Sequence, residues 1–235
     1  MEQTIIFSEY EKRCNEINCM LNFVKELDNQ PEVDEDEASA LNIQKASLII
    51  MLYNLVESTV SLNFMTIFDN IIDNNIGYTE VSPQLRDIWL ELNYNDMFDK
   101  SSSFQSYLNR TSELINNITN NNNQNILLFS ESKVEWQLPG GNLAARSITK
   151  LCKKFGITLN IPSEVNSKAG ILEDIKNKRN SLGHGDKSFC EIGTSVTIKD
   201  IESWFKEVTD YLNHFTEQIS EYVSNKGYCN KNVVD

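Results

Sequence analysis

Apolar residues recur along this chain at the three- and four-residue spacing that gathers them on one face of a helix. Over residues 4–29 the stripe is Ile5, Ile6, Tyr10, Ile17, Leu21, Val24 and Leu27, and Pro31 ends it. The acidic run 32–37 reads as a solvated loop leading to a helix N-terminus, where negative charge is favourable. Residues 38–75 are the most apolar. Leu41, Leu48, Leu52, Leu55, Val56, Val60, Phe64, Ile67, Phe68 and Ile71 make a stripe wide enough for a central helix of a bundle. Glu57 interrupts that region, and a carboxylate there needs either solvent or a partner.

The pattern then loosens. Gly77 and Pro83 punctuate an irregular stretch over 76–100, with a short helix at 83–91 and another at 101–117. Residues 116–125 hold seven Asn and one Gln, a low-complexity segment read as a flexible loop. Residues 126–129 and 133–138 are short strand-like runs. Pro139-Gly140-Gly141 is a turn, after which Asn142 is placed to cap a helix reaching Phe155. A helix over 164–184 follows, then a loop from Phe189 to Val196. Thr197 and Asp200 resemble a capping box opening a last helix, 197–224. Its buried face is Ile201, Trp204, Phe205, Val208, Tyr211, Leu212, Phe215 and Ile219, and the tail after Gly227 is expected to fray. The expectation is one all-α domain over 1–235, with its core at about 38–224. It is an up-and-down bundle of four to six helices with an inserted irregular or short-strand segment.

At 235 residues the chain has ample length for a core. The longest apolar stretch, 47–72, is broken by Asn54, Glu57, Asn63, Asp69 and Asn70, and the first residues lack a signal-peptide pattern. Neither a membrane span nor export is expected, so the chain is read as cytoplasmic. Five cysteines, with no C-x-x-C pair and only His184 and His214 to join them, argue against a disulfide framework or a zinc site. No metal and no cofactor is expected. A net charge of −13 speaks against a general nucleic-acid binder. Its distribution softens this. From Lys150 to Lys187 eight basic residues face four acidic ones, a local +4 against −17 for the rest. An acidic body with one basic patch fits a selective RNA site, and equally a folded protein with ordinary charge scatter.

The patch contains the stretch Arg179-Asn180-Ser181-Leu182-Gly183-His184-Gly185. Asn180 and His184 are four apart and share a helical face, with the long side chain of Arg179 at its edge. Gly183 and Gly185 are stop signals that would swing His184 out of helical register. A histidine holds or gives a proton near neutral pH, and a guanidinium pairs two phosphate oxygens. Together they suit a phosphodiester. The plain alternative is a solvated Arg and a His closing a helix. Lys176, Lys178, Lys187 and Arg146 are the candidate RNA contacts, and Glu57 is a candidate support for Arg179 or His184. For Glu57 an ordinary salt-bridged surface position stays open, as does a structural ion pair for Arg146.

This stretch resembles the R-N-x-x-x-H signature of the HEPN superfamily. The apolar segment 46–60 and the segment 140–148 fit the same stand-alone bacterial group, MAE-like HEPN, in the same order. The resemblance implies an all-helical homodimer, often a metal-independent endoribonuclease of toxin–antitoxin or phage-defence loci. His184 would move the proton, Arg179 would stabilise the transition state and Asn180 would orient. It also implies a possible antitoxin or defence-system partner. A catalytically silent module that binds RNA, a nucleotide or a partner protein is the second expectation. A two-fold axis is reasonable on physical grounds as well, since one His per chain provides one proton carrier while cleavage needs both a base and an acid.

Overall fold

The computed structural model describes residues 2–29, 34–97, 102–119 and 142–230. Among these residues the fold is all-α: α1 (Glu2–Asp28), α2 (Glu35–Asp73), α3 (Pro83–Met97), α4 (Phe104–Thr119), α5 (Ala145–Lys154), α6 (Ser163–Asn166), α7 (Gly170–His184), α8 (Phe189–Thr194) and α9 (Ile198–Ser224). The strand-like runs at 126–129 and 133–138, the turn at 139–141 and most of the Asn-rich segment lie outside the described residues.

Several helix ends differ from the periodicity, each for a local reason. Helix α2 starts at Glu35 and not at 38, because the Asp34 carboxylate accepts the N–H groups of Asp36 and Glu37 at 3.0 Å each. Helix α3 runs on to Met97, past the expected end at 91. Asn142 does not cap α5. Ala144 stands at that position, and the Ser147 hydroxyl reaches back to its N–H at 2.8 Å. The expected 164–184 helix is split. Ile171 and Leu172 donate to Lys168 and Ala169, three residues back, which forms a tight turn ahead of Gly170. The loop expected at 189–196 is instead α8. Its capping box joins Ser188 and Glu191 reciprocally. Glu191 is held below the usual carboxylate range by those bonds, led by the Ser188 N–H. The capping box read at Thr197 and Asp200 is present, with Thr197 N–H on Asp200 at 2.8 Å and Asp200 N–H on Thr197 at 3.1 Å.

The chain falls into two compact units. One comprises residues 1–63, 139–148 and 160–218. Its core contains Ile17, Leu21 and Val24 of α1, Leu48, Leu52, Leu55, Val56 and Val60 of α2, Leu172 and Ile175 of α7, and Ile201, Val208, Leu212 and Phe215 of α9. Trp204 and Phe205, expected inside, are only half-buried. Helix α8 lies against α2 so closely that a Cβ on Gly193 would collide with the Asn42 carbonyl oxygen. Lys45 of α2 donates to the Val196 carbonyl at 3.3 Å just beyond α8.

The other unit comprises 64–138, 149–159 and 219–235. Phe155 sits between Phe64 and Phe68, with ring centroids 4.6 and 5.5 Å away, and its carbonyl accepts the Tyr222 hydroxyl at 3.1 Å. The chain after Gly227 does not fray at once. Tyr228 is buried, its carbonyl accepts the Ser82 N–H at 2.8 Å, and Cys229 forms an isolated bridge with Val81.

By length and composition α2 is apolar enough to cross a membrane, although its polar interruptions predict that it does not. More than half of that apolar window is buried inside the protein, as in a core helix.

Candidate active site

Helix α7 carries the motif. Ile171, Leu172 and Ile175 fix one face in the core. Gly185 ends the helix in the left-handed region at φ +76°, which only glycine adopts at little cost. Its N–H bonds to the Leu182 carbonyl at 3.2 Å and the Asp186 N–H to Ser181 at 2.9 Å, a Schellman turn. Gly183 does not break the helix. His184 therefore stays in register as the last helical residue and is not swung out.

Arg179 is half-buried. Its guanidinium carbon lies 4.9 Å from the centroid of the Tyr53 ring, and Nη1 donates to Asn180 Oδ1 at 3.2 Å. Tyr53 comes from the middle of α2 and is 1% exposed. Its hydroxyl accepts the Leu143 N–H at 3.2 Å. Asn180 Nδ2 donates to Asn142 Oδ1 at 3.3 Å. Asn142 and Leu143 are consecutive and lead into α5, so this one segment and α2 converge on the Arg179 end of α7. Burial pushes the Tyr53 phenol above its ordinary range. The Leu143 N–H and the Arg179 charge act the other way, and the charge of Glu57 adds to the rise. Half-buried Glu57 thus stands electrostatically beside Tyr53, one turn along α2.

His184 is exposed. Five residues along a helix amount to about 140° of rotation, so it leaves the axis in a different direction from Arg179. Within one chain the structure joins Arg179 to Asn180, Asn142 and Tyr53, with no bond from Arg179 to His184.

The other candidates divide. Arg146 and Lys187 are exposed. Lys178 donates to Ser195 Oγ at 3.2 Å and lies 5.9 Å from the Trp204 ring. Lys176 pairs with Glu173 on its own helix. His214 has its own neighbour, Glu217, at 3.5 Å. Among the described residues no three His, Cys, Asp or Glu are grouped as metal ligands.

Tyr53 and Asn142 escaped the sequence reading. The one signal for Tyr53 was a hydroxyl in an otherwise aliphatic stripe, which must find a partner when buried. Asn142 had been given to a helix cap.

The model of the MAE_28990-like HEPN family matches residues 1–228. No curated protein and no solved structure matches the chain.

Proposed function

We propose that this chain, which belongs to the MAE-like HEPN family, is a metal-independent endoribonuclease. HEPN domains include many nuclease and RNA-related modules, and the motif here keeps its Arg, Asn and His. One observation carries the reading. A guanidinium lies over a buried ring and is bonded to Asn180, on a helix that ends in an exposed histidine.

The ribose 2′-hydroxyl attacks the adjacent phosphorus. The O2′–P bond forms as P–O5′ breaks, the 2′ proton leaves to a base, and an acid protonates O5′. His184 serves in this proton transfer. Arg179 stabilises the charge that builds on the phosphoryl oxygens, and Asn180 orients. The products are a 2′,3′-cyclic phosphate and a 5′-hydroxyl. Exposed Arg146 and Lys187, with Lys176 and Lys178, guide the RNA backbone.

The working unit is a homodimer. Arg179 and His184 of one chain diverge, and a two-fold axis beside the end of α7 supplies a second pair to the same phosphate. The cellular setting is the cytoplasm, in toxin–antitoxin or anti-phage defence, with a partner protein that restrains the cut. The exposed, unjoined His184 favours one second reading, a silent HEPN module that binds RNA, a nucleotide or a protein without cutting.

The test is RNA cleavage by purified protein in EDTA, with the product ends identified and the protein diluted across its association range. Cyclic-phosphate ends are expected, with activity per chain falling as dimers dissociate. Binding without cleavage would leave the silent module. Undiminished activity in a proven monomer would overturn the shared site.

A further inference from the structure

The contacts around Arg179 close on themselves. Arg179 lies over Tyr53, and the Tyr53 hydroxyl holds the Leu143 N–H. Leu143 follows Asn142, whose amide oxygen holds Asn180, whose own oxygen holds Arg179. Two members of this ring, Tyr53 and Leu143, are locked in the core, each at 1% exposure. Asn142 and the motif residues are reachable from solvent. The ring thus runs from a fixed aromatic base to an accessible cation.

We propose that Tyr53 and Asn142 are positioning residues for Arg179, setting the plane and direction of its guanidinium through this closed circuit. This rests on the endoribonuclease reading for its effect on rate, but not for its geometry. A guanidinium has five N–H donors in one plane, and their use against phosphate depends on the direction of that plane. A long arginine side chain alone does not fix it. Stacking on an aromatic face sets the plane. The bond to Asn180 then sets the rotation within it, provided Asn180 is itself fixed. Asn142 does that from outside the helix, and the Tyr53 hydroxyl fixes the segment bearing Asn142. Removing the ring therefore loosens both the plane and the rotation, whereas removing only the hydroxyl loosens the rotation.

The experiment compares wild type, Tyr53→Phe, Tyr53→Leu and Asn142→Ala. Two quantities are read, kcat and KM on an RNA oligonucleotide and the Arg179 Nε–Hε resonance, identified by its loss in Arg179→Lys. In the wild type the Hε signal should lie upfield from the ring current. Tyr53→Leu should lose that shift and lower kcat about 10-fold with KM little changed, the scale of a partly desolvated cation–π contact. Tyr53→Phe should keep the shift and lose a few-fold in kcat. Asn142→Ala should also lose a few-fold, about the value of one hydrogen bond, with the melting temperature lowered only slightly because the residue is exposed. A folded Tyr53→Leu with full kcat, or with an unmoved Arg179 resonance, overturns the proposal. If that variant does not fold, Asn142→Ala decides, and an unchanged kcat and resonance there overturn it equally. If wild type does not cut RNA, the endoribonuclease reading fails, while the Arg179 resonance still decides the positioning role.

Discussion

Arg179 and His184 stand on one helix, five residues apart, and are held in opposite ways. Arg179 is half-buried, with a ring beneath it and an amide beside it. His184 ends the helix in solvent, fixed only by the backbone turn at Gly185. The difference matches what the proposed reaction would ask of each group. A cation that stabilises developing charge works best when aimed in advance, because no reorganisation is then needed during reaction. A proton carrier must meet two different oxygens, and a place at the open end of a helix leaves it free to do so. In the proposed homodimer this contrast would give the second copy a use. Within one chain Arg179 has its contacts to Tyr53 and Asn180, while His184 ends the helix in solvent.

The sharpest way to break this contrast is to remove each side chain. Under the nuclease reading, His184→Ala and Arg179→Ala should each reduce RNA cleavage by about 10²–10⁴-fold. They should part on stability. His184→Ala should melt with wild type, since an exposed side chain is lost. Arg179→Ala should melt lower, by the equivalent of about 1 kcal/mol from the lost stack and hydrogen bond. Melting curves that fall equally for both would show that the two ends are not held differently.

The helices around this site were legible because burial and period coincide. In α2 the apolar stripe is long enough to average out Asn54, Glu57 and Asn63, which interrupt it, and α9 is long enough for its own stripe to show. The motif stood out through its resemblance to the R-N-x-x-x-H signature, since an Arg and a His at this spacing are by themselves weakly specific. What was illegible is tertiary or very short. Helix α8 has six residues, too few for a period to show, and its capping box at Ser188 and Glu191 was the available sign. Tyr53 lies 126 positions before Arg179, and no local pattern reports such a pairing. Asn142 was misassigned because an Asn before a helix usually caps it. Here Ser147 takes over the capping from inside the helix and leaves the Asn142 amide for Asn180.

A smaller effect sharpens the histidine end alone. Gly183 and Gly185 flank His184, and a Cβ on either meets nothing within 4 Å. Space is therefore equal and only the backbone differs. Gly185→Ala must hold a left-handed residue and should cost about 1–2 kcal/mol. It should also fray the last turn and, under the nuclease reading, lower cleavage with it. Gly183→Ala lies in helical backbone and should stabilise by up to about 1 kcal/mol. Equal melting temperatures for the two variants would mean that the turn at Gly185 does not set the helix end.

The smallest effect is read at alkaline pH and concerns the arginine end. The Tyr53 phenol is raised above its ordinary range chiefly by burial, with Glu57 adding to the rise and Arg179 opposing it. An unfolded tyrosine titrates near pH 10. Above that pH the unfolded state loses the proton first, so the native state binds more protons and stability falls as pH rises. The stability tied to the neutral phenol is thus complete below about pH 10 and lost on the way up to the folded value. Tyr10, Tyr222 and Tyr228 are raised as well, so wild type alone cannot isolate Tyr53. The difference between wild type and Tyr53→Phe can. Urea midpoints should decline less steeply in Tyr53→Phe above pH 10, with parallel curves below it. Glu57→Gln removes one of the groups that raise the phenol, so its curve should lie between the two. Parallel curves for wild type and Tyr53→Phe across the whole range would mean that Tyr53 is not a buried neutral phenol, and Arg179 would then lack its fixed base.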